Sequence, residues 1–392
     1  MRWVSIVCAL LISGSGEIVR AQDHLNTFVS VGYHQGTIVS PNNQFYRQAN
    51  LQEKAFGENL GFQAEFGWQT TTLNTYNQLL NYPSFGLGLK YFNIRESDEL
   101  GNPIALYAFF DVPFYRSDRL AFKYSGYLGF ASHWNPEHPV LNPFNNVIGS
   151  YKNMFVSSGF SLEYTLTSQM SAGVQVFGVH FSNGRKTVPN QGVNVVSGAF
   201  SLRYYLQDQP YPWCREKTEL KKFSPSNELY MTIGSGSRQE SFRWLETRGR
   251  APLIAVNYSI YNLSLGLQRQ VHYLFKFGGG VDLIYYGPTN ARIDEQEDGL
   301  WTKHPIPFGE KIQVGLFGSA EWVLNNFSVY AQPGYRIYSN EVRADIPDFY
   351  QHLAVKYHLD NFLFGIGIRA VRFSGAEYIE WNLGYRLVWD GN

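Results

Sequence analysis

Few charged side chains and no long apolar run set this sequence apart from most others. Charged residues make up 16% of the 392 residues, whereas an ordinary soluble domain carries about 25%. No segment beyond the N-terminus approaches the roughly 20 consecutive apolar residues that a membrane-spanning helix needs. These two absences exclude a helical membrane protein and disfavour an ordinary soluble domain. The net charge of zero argues against nucleic acid as a partner.

Cysteine is nearly absent as well, with two residues in the chain. Arg2, the apolar stretch 3–12 and the cleavage sequence Val19-Arg20-Ala21 predict a secretory signal peptide over residues 1–21. Cys8 would be removed with this signal, so Cys214 stands alone and no intrachain disulfide is expected. The mature chain is therefore predicted to be exported, and to be stabilised by something other than disulfides.

Aromatic residues and glycine are abundant, with 17% aromatics and 37 glycines. An exported chain that is rich in both, poor in charge and without a spanning helix fits a transmembrane antiparallel β-barrel of the outer membrane of a Gram-negative bacterium. A secreted β-sandwich is the alternative fold. In both cases the fold class is all-β.

Alternating segments bounded by turn residues recur along the chain and predict about sixteen strands in two series of eight. The first series is predicted near 26–36, 59–68, 84–95, 103–114, 119–133, 152–165, 169–182 and 192–206. The second is predicted near 226–236, 251–268, 271–287, 310–324, 326–339, 348–359, 361–374 and 377–389.

The two series predict a duplicated eight-strand unit. Residues 22–207 form the first unit, the charged, proline-containing stretch 208–225 is a linker or long loop, and 226–392 form the second unit. The segment 173–183 resembles 365–375, which supports the duplication. Whether the units close as two small barrels or share one larger barrel stays open.

Loop lengths give the barrel a direction, because the long loops of such barrels face outward. The long connections 37–58 and 134–151 follow odd-numbered strands of the first series. The segment 69–83 is the exception, since it is long where a short turn is expected. The seventh strand is then predicted to run outward and to end at the outer rim.

Two polar side chains end the apolar face of that seventh strand. Side chains two apart share one face of a strand, so His180 and Ser182 continue the face that begins at Met170. At the outer rim they would face lipid. The constant index sum of an antiparallel hairpin places Asn194 opposite His180. A hydroxyl, an imidazole and an amide on one surface are suited to nucleophilic acyl transfer.

The block His180-Phe-Ser-Asn-Gly184, followed by Pro189-Asn-Gln-Gly192, resembles the signature of the outer-membrane lipid A deacylases, the PagL-type acyloxyacyl hydrolases. The resemblance implies an eight-stranded barrel that removes an ester-linked acyl chain from lipid A on its outer wall. It implies Ser182 as nucleophile and His180 as base. Asn183 and the backbone N–H at Gly184 would form the oxyanion hole, and no metal or organic cofactor is implied.

The sequence departs from this family at Asn194, where the family has glutamate. An amide can orient the histidine but cannot stabilise an imidazolium by charge, and loss of the carboxylate in serine proteases lowers turnover by about 10⁴. Three alternatives stay open: a slow enzyme, an acid that reaches His180 from elsewhere, or a binding protein rather than an enzyme. The rival function is accordingly a non-enzymatic barrel, either a channel or a surface-binding protein.

The second unit is predicted to be degenerate. Arg372 stands where the first unit has its base, and it cannot activate Ser374. Lipid A and outer-membrane lipids are the expected partners, and the oligomeric state stays open.

Overall fold

The computed structural model describes residues 25–39, 43–208, 220, 222–243, 253–295, 300–373 and 375–391. The predicted signal peptide and most of the predicted linker lie outside these residues.

The first barrel consists of eight antiparallel strands that pair in sequence order. They are β1 Leu25–Ile38, β2 Glu58–Thr70, β3 Ser84–Ile94, β4 Gly101–Arg116, β5 Leu120–Trp134, β6 Asn153–Thr165, β7 Met170–Ser182 and β8 Val193–Tyr205. Pairing of β8 with β1 closes the sheet. Every strand therefore has two neighbours and no edge is left open.

The second barrel has the same plan. Its strands are β9 Ser226–Arg243, β10 Leu253–His272, β11 Phe275–Tyr286, β14 Ile312–Leu324, β15 Phe327–Tyr338, β16 Phe349–Leu359, β17 Phe362–Val371 and β18 Gly375–Asp390. Here β18 pairs with β9 and closes the sheet. The all-β prediction is confirmed, and the sixteen barrel strands form two barrels of eight.

Contacts divide the chain into two compact units. The first comprises residues up to 134 together with 152–181 and 193–220, and the second comprises 135–151, 182–192 and 221 onward. The connections 135–151 and 182–192 thus belong to the second unit by their contacts.

The strands alternate between an outward, mainly apolar face and an inward face on which buried polar and aromatic side chains are mixed. On β1 the outward Val29, Val31 and Tyr33 are 40% exposed or more, whereas Ser30 and His34 are buried. Leu263, Leu265 and Leu267 are the exposed counterparts on β10. An apolar outer wall around a polar interior is the pattern of a barrel that crosses a lipid bilayer. Among the described residues, no α-helix has the length and hydrophobicity to do so.

Ion pairs fill the interior of the first barrel. Glu163 lies 2.6 Å from the Lys123 ammonium and 3.3 Å from the Arg203 guanidinium, which also contacts Asp111 at 3.1 Å. All four side chains are buried. An eight-strand barrel has an interior just wide enough for side chains, so these pairs occupy the space that a pore would need.

The second barrel is filled in the same way around Asp282. This carboxylate accepts hydrogen bonds from Ser264 and Tyr350 at 2.5 Å, from Gln332 at 2.7 Å and from Arg369 at 2.9 Å. Buried charges of opposite sign are therefore paired inside each barrel.

Short elements, among them one helix and one hairpin, were missed by the sequence analysis. The helix α1 Thr75–Leu79 lies in the connection that seemed too long, and Asn74 caps it by accepting a hydrogen bond from Asn77 N at 2.8 Å. The hairpin of β12 Ile293–Glu295 and β13 Trp301–Lys303 lies between β11 and β14. Elements of three to five residues are too short to show a hydrophobic period.

Replacing Arg203 by methionine should destabilise the first barrel by about 3–5 kcal/mol, because Asp111 is left buried without its cation and Glu163 loses one of two. Thermal unfolding in detergent, followed by circular dichroism, would measure the change. Arg95→Met is the matched control, since the exposed Arg95–Glu58 pair is worth less than about 1 kcal/mol. Equal unfolding temperatures for the two variants would contradict this interpretation of the interior.

Candidate active site

His180 lies on the outward face of β7. Its neighbours Val179 and Phe181 are buried, and the Phe181 ring packs inside the barrel against Trp134 with centroids 4.8 Å apart. Because consecutive side chains of a strand point to opposite faces, the His180 imidazole points away from the interior. It is half-buried on the outer wall.

Asn194 on β8 is the direct cross-strand neighbour of His180, as the index sum predicted. The Nδ1 atom of His180 and the Oδ1 atom of Asn194 are 2.7 Å apart. An amide oxygen only accepts hydrogen bonds, so this contact places the ring hydrogen on Nδ1. The other ring nitrogen, Nε2, then carries a free lone pair and can accept a proton.

No aspartate or glutamate forms an ion pair with His180 in the described part of the chain. The alternative in which an acid from elsewhere replaces the family's glutamate therefore finds no support among these residues. Asn194 is the side chain that holds the imidazole.

Ser182 is the last residue of β7 and is 4% exposed. Its hydroxyl oxygen accepts hydrogen bonds from Gly184 N at 3.1 Å and from Asn190 Nδ2 at 2.8 Å. A serine hydroxyl has two acceptor sites and one donor, so both lone pairs are engaged and the hydrogen is left to donate. Within the described part of the chain, this hydroxyl forms its hydrogen bonds with Gly184 and Asn190 and none with His180.

Asn183 organises the loop that follows Ser182. Its side-chain nitrogen donates to Ser150 Oγ at 3.0 Å and to the Thr187 carbonyl at 2.9 Å, while its backbone N donates to Asn190 Oδ1 at 3.0 Å. Both amide hydrogens of Asn183 are thus engaged in the loop. The amide nitrogen that reaches the Ser182 hydroxyl belongs to Asn190, which the sequence analysis did not single out for chemistry.

The turn after Asn183 depends on a left-handed backbone. Gly184 has φ of 63°, a region that glycine adopts without steric cost. A Cβ atom there would also lie 2.4 Å from the Ile379 side chain. Within the second unit, Gln239 of β9 secures the same segment, because its backbone N donates to the Arg185 carbonyl and its side chain accepts from Val188 N, both at 2.8 Å.

The seventh strand of the second barrel, β17, has no such site. Arg369 points inward and is buried, whereas Arg372 is exposed just beyond the strand and donates to the Ala344 carbonyl at 2.6 Å. Ser374 lies outside the described residues. The arginine predicted at the position of the base is thus engaged with a backbone oxygen.

Solved structures that resemble the chain are outer-membrane channels, at very low similarity. The TodX deltaS2S3 mutant monoaromatic hydrocarbon channel is 10% identical, with 95% of this chain and 92% of that chain covered and a TM-score of 0.19. An outer membrane channel from Pseudomonas putida F1 is 10% identical, with 93% and 96% covered and a TM-score of 0.19. The Pseudomonas putida toluene transporter TodX is 12% identical, with 95% and 89% covered and a TM-score of 0.17. Scores this low carry no argument about function.

No curated protein matches the sequence. A family model does match: residues 227–389 fit the acyloxyacyl hydrolase C-terminal domain of PagL type. The matched residues begin in β9 and end in β18, so they span the second barrel, whereas the motif that suggested the same family lies in the first. The comparison therefore shows that the second barrel is similar to an acyloxyacyl hydrolase C-terminal domain.

Proposed function

We propose that this protein is an outer-membrane serine hydrolase that removes an ester-linked acyl chain from lipid A or a related outer-leaflet lipid. The observation that carries the proposal is the 2.7 Å contact between His180 Nδ1 and Asn194 Oδ1 on an outward-facing wall. That contact leaves a basic nitrogen on the strand that carries Ser182. The match of residues 227–389 to an acyloxyacyl hydrolase domain supports a lipid ester as the substrate class.

The proposed reaction begins with attack of Ser182 Oγ on the ester carbonyl carbon while His180 Nε2 takes the hydroxyl proton. The tetrahedral intermediate collapses, the alcohol oxygen of the ester leaves with the proton from His180, and the acyl group stays on Ser182. Water then attacks the acyl-enzyme, again with His180 as base, and releases the fatty acid. Attack requires the Ser182 hydroxyl to give up one of its two accepted hydrogen bonds.

The oxyanion would be stabilised by the Gly184 N–H and by a side-chain amide. Asn183 and Asn190 are the two candidates for that amide. Asn190 is favoured, because its Nδ2 atom already lies 2.8 Å from Ser182 Oγ, whereas the Asn183 amide is committed to Ser150 and Thr187. The donors that hold the resting hydroxyl would turn to the oxyanion as it forms next to Ser182.

A passive channel is the rival function. The buried ion pairs inside both barrels argue against it, because they occupy space that a pore would need. A hydrolase on the outer wall needs no pore, because its substrate reaches the wall by lateral diffusion. The proposed location is the outer membrane, reached by means of the predicted signal peptide.

Ser182→Ala should abolish lipid A shortening, with a loss of more than about 10³-fold in rate, because no other group supplies the nucleophile. Mass spectrometry of lipid A from cells that express the protein would detect the lost acyl chain. Ser171→Ala is the matched control, since Ser171 lies on the same strand but faces inward. Full-length lipid A from cells with well-inserted wild-type protein would instead favour a surface-binding protein.

Asn194→Asp should accelerate hydrolysis, by up to about 10⁴-fold, because a carboxylate would stabilise the imidazolium that forms on His180. Asn194→Leu should slow it, because the ring then loses the acceptor that sets its tautomer. The initial rate of fatty-acid release from lipid A in detergent micelles would measure both. An Asp variant no faster than the wild type would rule out an imidazolium intermediate at His180.

Asn190→Asp should lower kcat by about 10²–10³-fold, because it removes the amide donor while it keeps the oxygen that accepts from Asn183 N. The same change at Asn183 is the matched comparison, and we expect it mainly to lower the unfolding temperature by loosening the loop. The reverse result, in which the Asn183 variant has the greater loss in kcat at unchanged stability, would assign the oxyanion role to Asn183.

A further inference from the structure

A cavity opens at the rim of the second barrel, at the end where β10 begins and β11 ends. Its volume is about 470 Å³, and its lining includes Asn257, Tyr258, Tyr285, Lys303, His304 and Lys311. Sites for small ligands occupy about 300–1,000 Å³. The cavity therefore has room for a sugar phosphate. Every lining residue lies in the second unit.

The charge of the lining is positive. Lys303 and Lys311 contribute two ammonium groups, and the lining contains no aspartate or glutamate. The Lys303 ammonium donates one hydrogen bond to the Asn257 carbonyl at 2.7 Å, which leaves two of its three hydrogens for a ligand. Neither lysine forms an ion pair within the described ranges. A bound anion would neutralise the charge of both lysine ammonium groups.

Lys303 lies on the hairpin β12–β13, which is stabilised by a contact between two of its own side chains. His304, which also lines the cavity, places its Nδ1 atom 2.8 Å from an oxygen of Asp294, the carboxylate next to the cavity. Backbone pairing of Asp294 with Thr302 connects the two strands. The Asp294 carboxylate is thus occupied by His304, and the position of Lys303 is set before any ligand binds.

Aromatic rings cover the outer wall beside the lysines. Phe308 stacks on Tyr285 with centroids 5.3 Å apart, and Tyr285 pairs across the strands with Tyr261 at 6.1 Å. Further along the same two strands, Leu263 and Leu283 are exposed. A cationic cavity thus continues into an aromatic and then an aliphatic surface. A membrane lipid presents its headgroup, interface and acyl chains in this order.

We propose that this cavity binds the phosphate-bearing headgroup of an outer-leaflet glycolipid, with Lys303 and Lys311 paired to the phosphate. The acyl chains would lie along the wall at Leu263 and Leu283. This assignment rests on the proposed outer-membrane location and makes the second barrel a capture site for the proposed substrate class. It is independent of the chemistry at Ser182. Free inorganic phosphate shares the charge but makes no use of the apolar wall.

Binding of lipid A to the full chain tests the assignment. The Ser182→Ala background keeps the ligand intact, so that failure of the hydrolase proposal leaves this measurement valid. In detergent micelles, native mass spectrometry would compare lipid A carrying both phosphates with enzymatically dephosphorylated lipid A. The double variant Lys303→Met/Lys311→Met should bind the phosphorylated lipid about tenfold more weakly or worse, because hydrogen bonds to charged groups are lost.

Lys54→Met/Lys222→Met is the matched control, since it removes the same charge at two exposed lysines outside the cavity and should bind like its parent. The dephosphorylated lipid should bind all forms as weakly as phosphorylated lipid binds the cavity variant. Equal affinity of the cavity variant and its parent, or equal affinity of the parent for lipid A with and without its phosphates, would overturn the proposal.

Competition by inorganic phosphate at the same concentration as the lipid would identify a free-phosphate site and overturn the lipid assignment. Lys303→Gln/Lys311→Gln replaces the methionine pair if that variant does not fold.

Discussion

Closure of the strand hydrogen bonds is the constraint on which the rest of the structure depends. In an apolar surrounding an unpaired backbone N–H or C=O group costs several kcal/mol, and the pairs β8–β1 and β18–β9 remove the last open edges of the two sheets. In a closed sheet every strand side chain points either into the filled interior or out from the outer wall. For this reason Phe181 packs against Trp134 inside, and the adjacent His180 is available outside.

Inside each barrel, buried arginines are paired with buried carboxylates of the same barrel. Arg203 between Asp111 and Glu163, and Arg369 beside Asp282, are buried with their partners. Such groups stabilise the barrel only as complete sets, since an unpaired buried charge is costly. We therefore propose chemistry and ligand binding only at the outer wall and the rims, where a side chain can change partners.

The two barrels have the same eight-strand topology and different rims. The first barrel presents His180 bound to Asn194, and the second presents a lysine-lined cavity while Arg372, at the position of the base, is engaged with a backbone carbonyl. The family match falls on the second barrel. Barrel closure constrains strand length and alternation but not the residues at the rims, and the two rims accordingly differ in their side chains.

The sequence by itself determined the strands, their inward and outward faces and the pairing of His180 with Asn194, because alternation and hairpin register are local properties of the chain. Elements too short to show a period, such as α1, could not be found in this way. Only the tertiary structure decided that the sixteen strands close as two barrels, since pairing of β1 with β8 joins residues about 170 positions apart and leaves no local pattern. It also decided that Asn190 reaches the Ser182 hydroxyl, because the path of a loop depends on the surfaces it packs against.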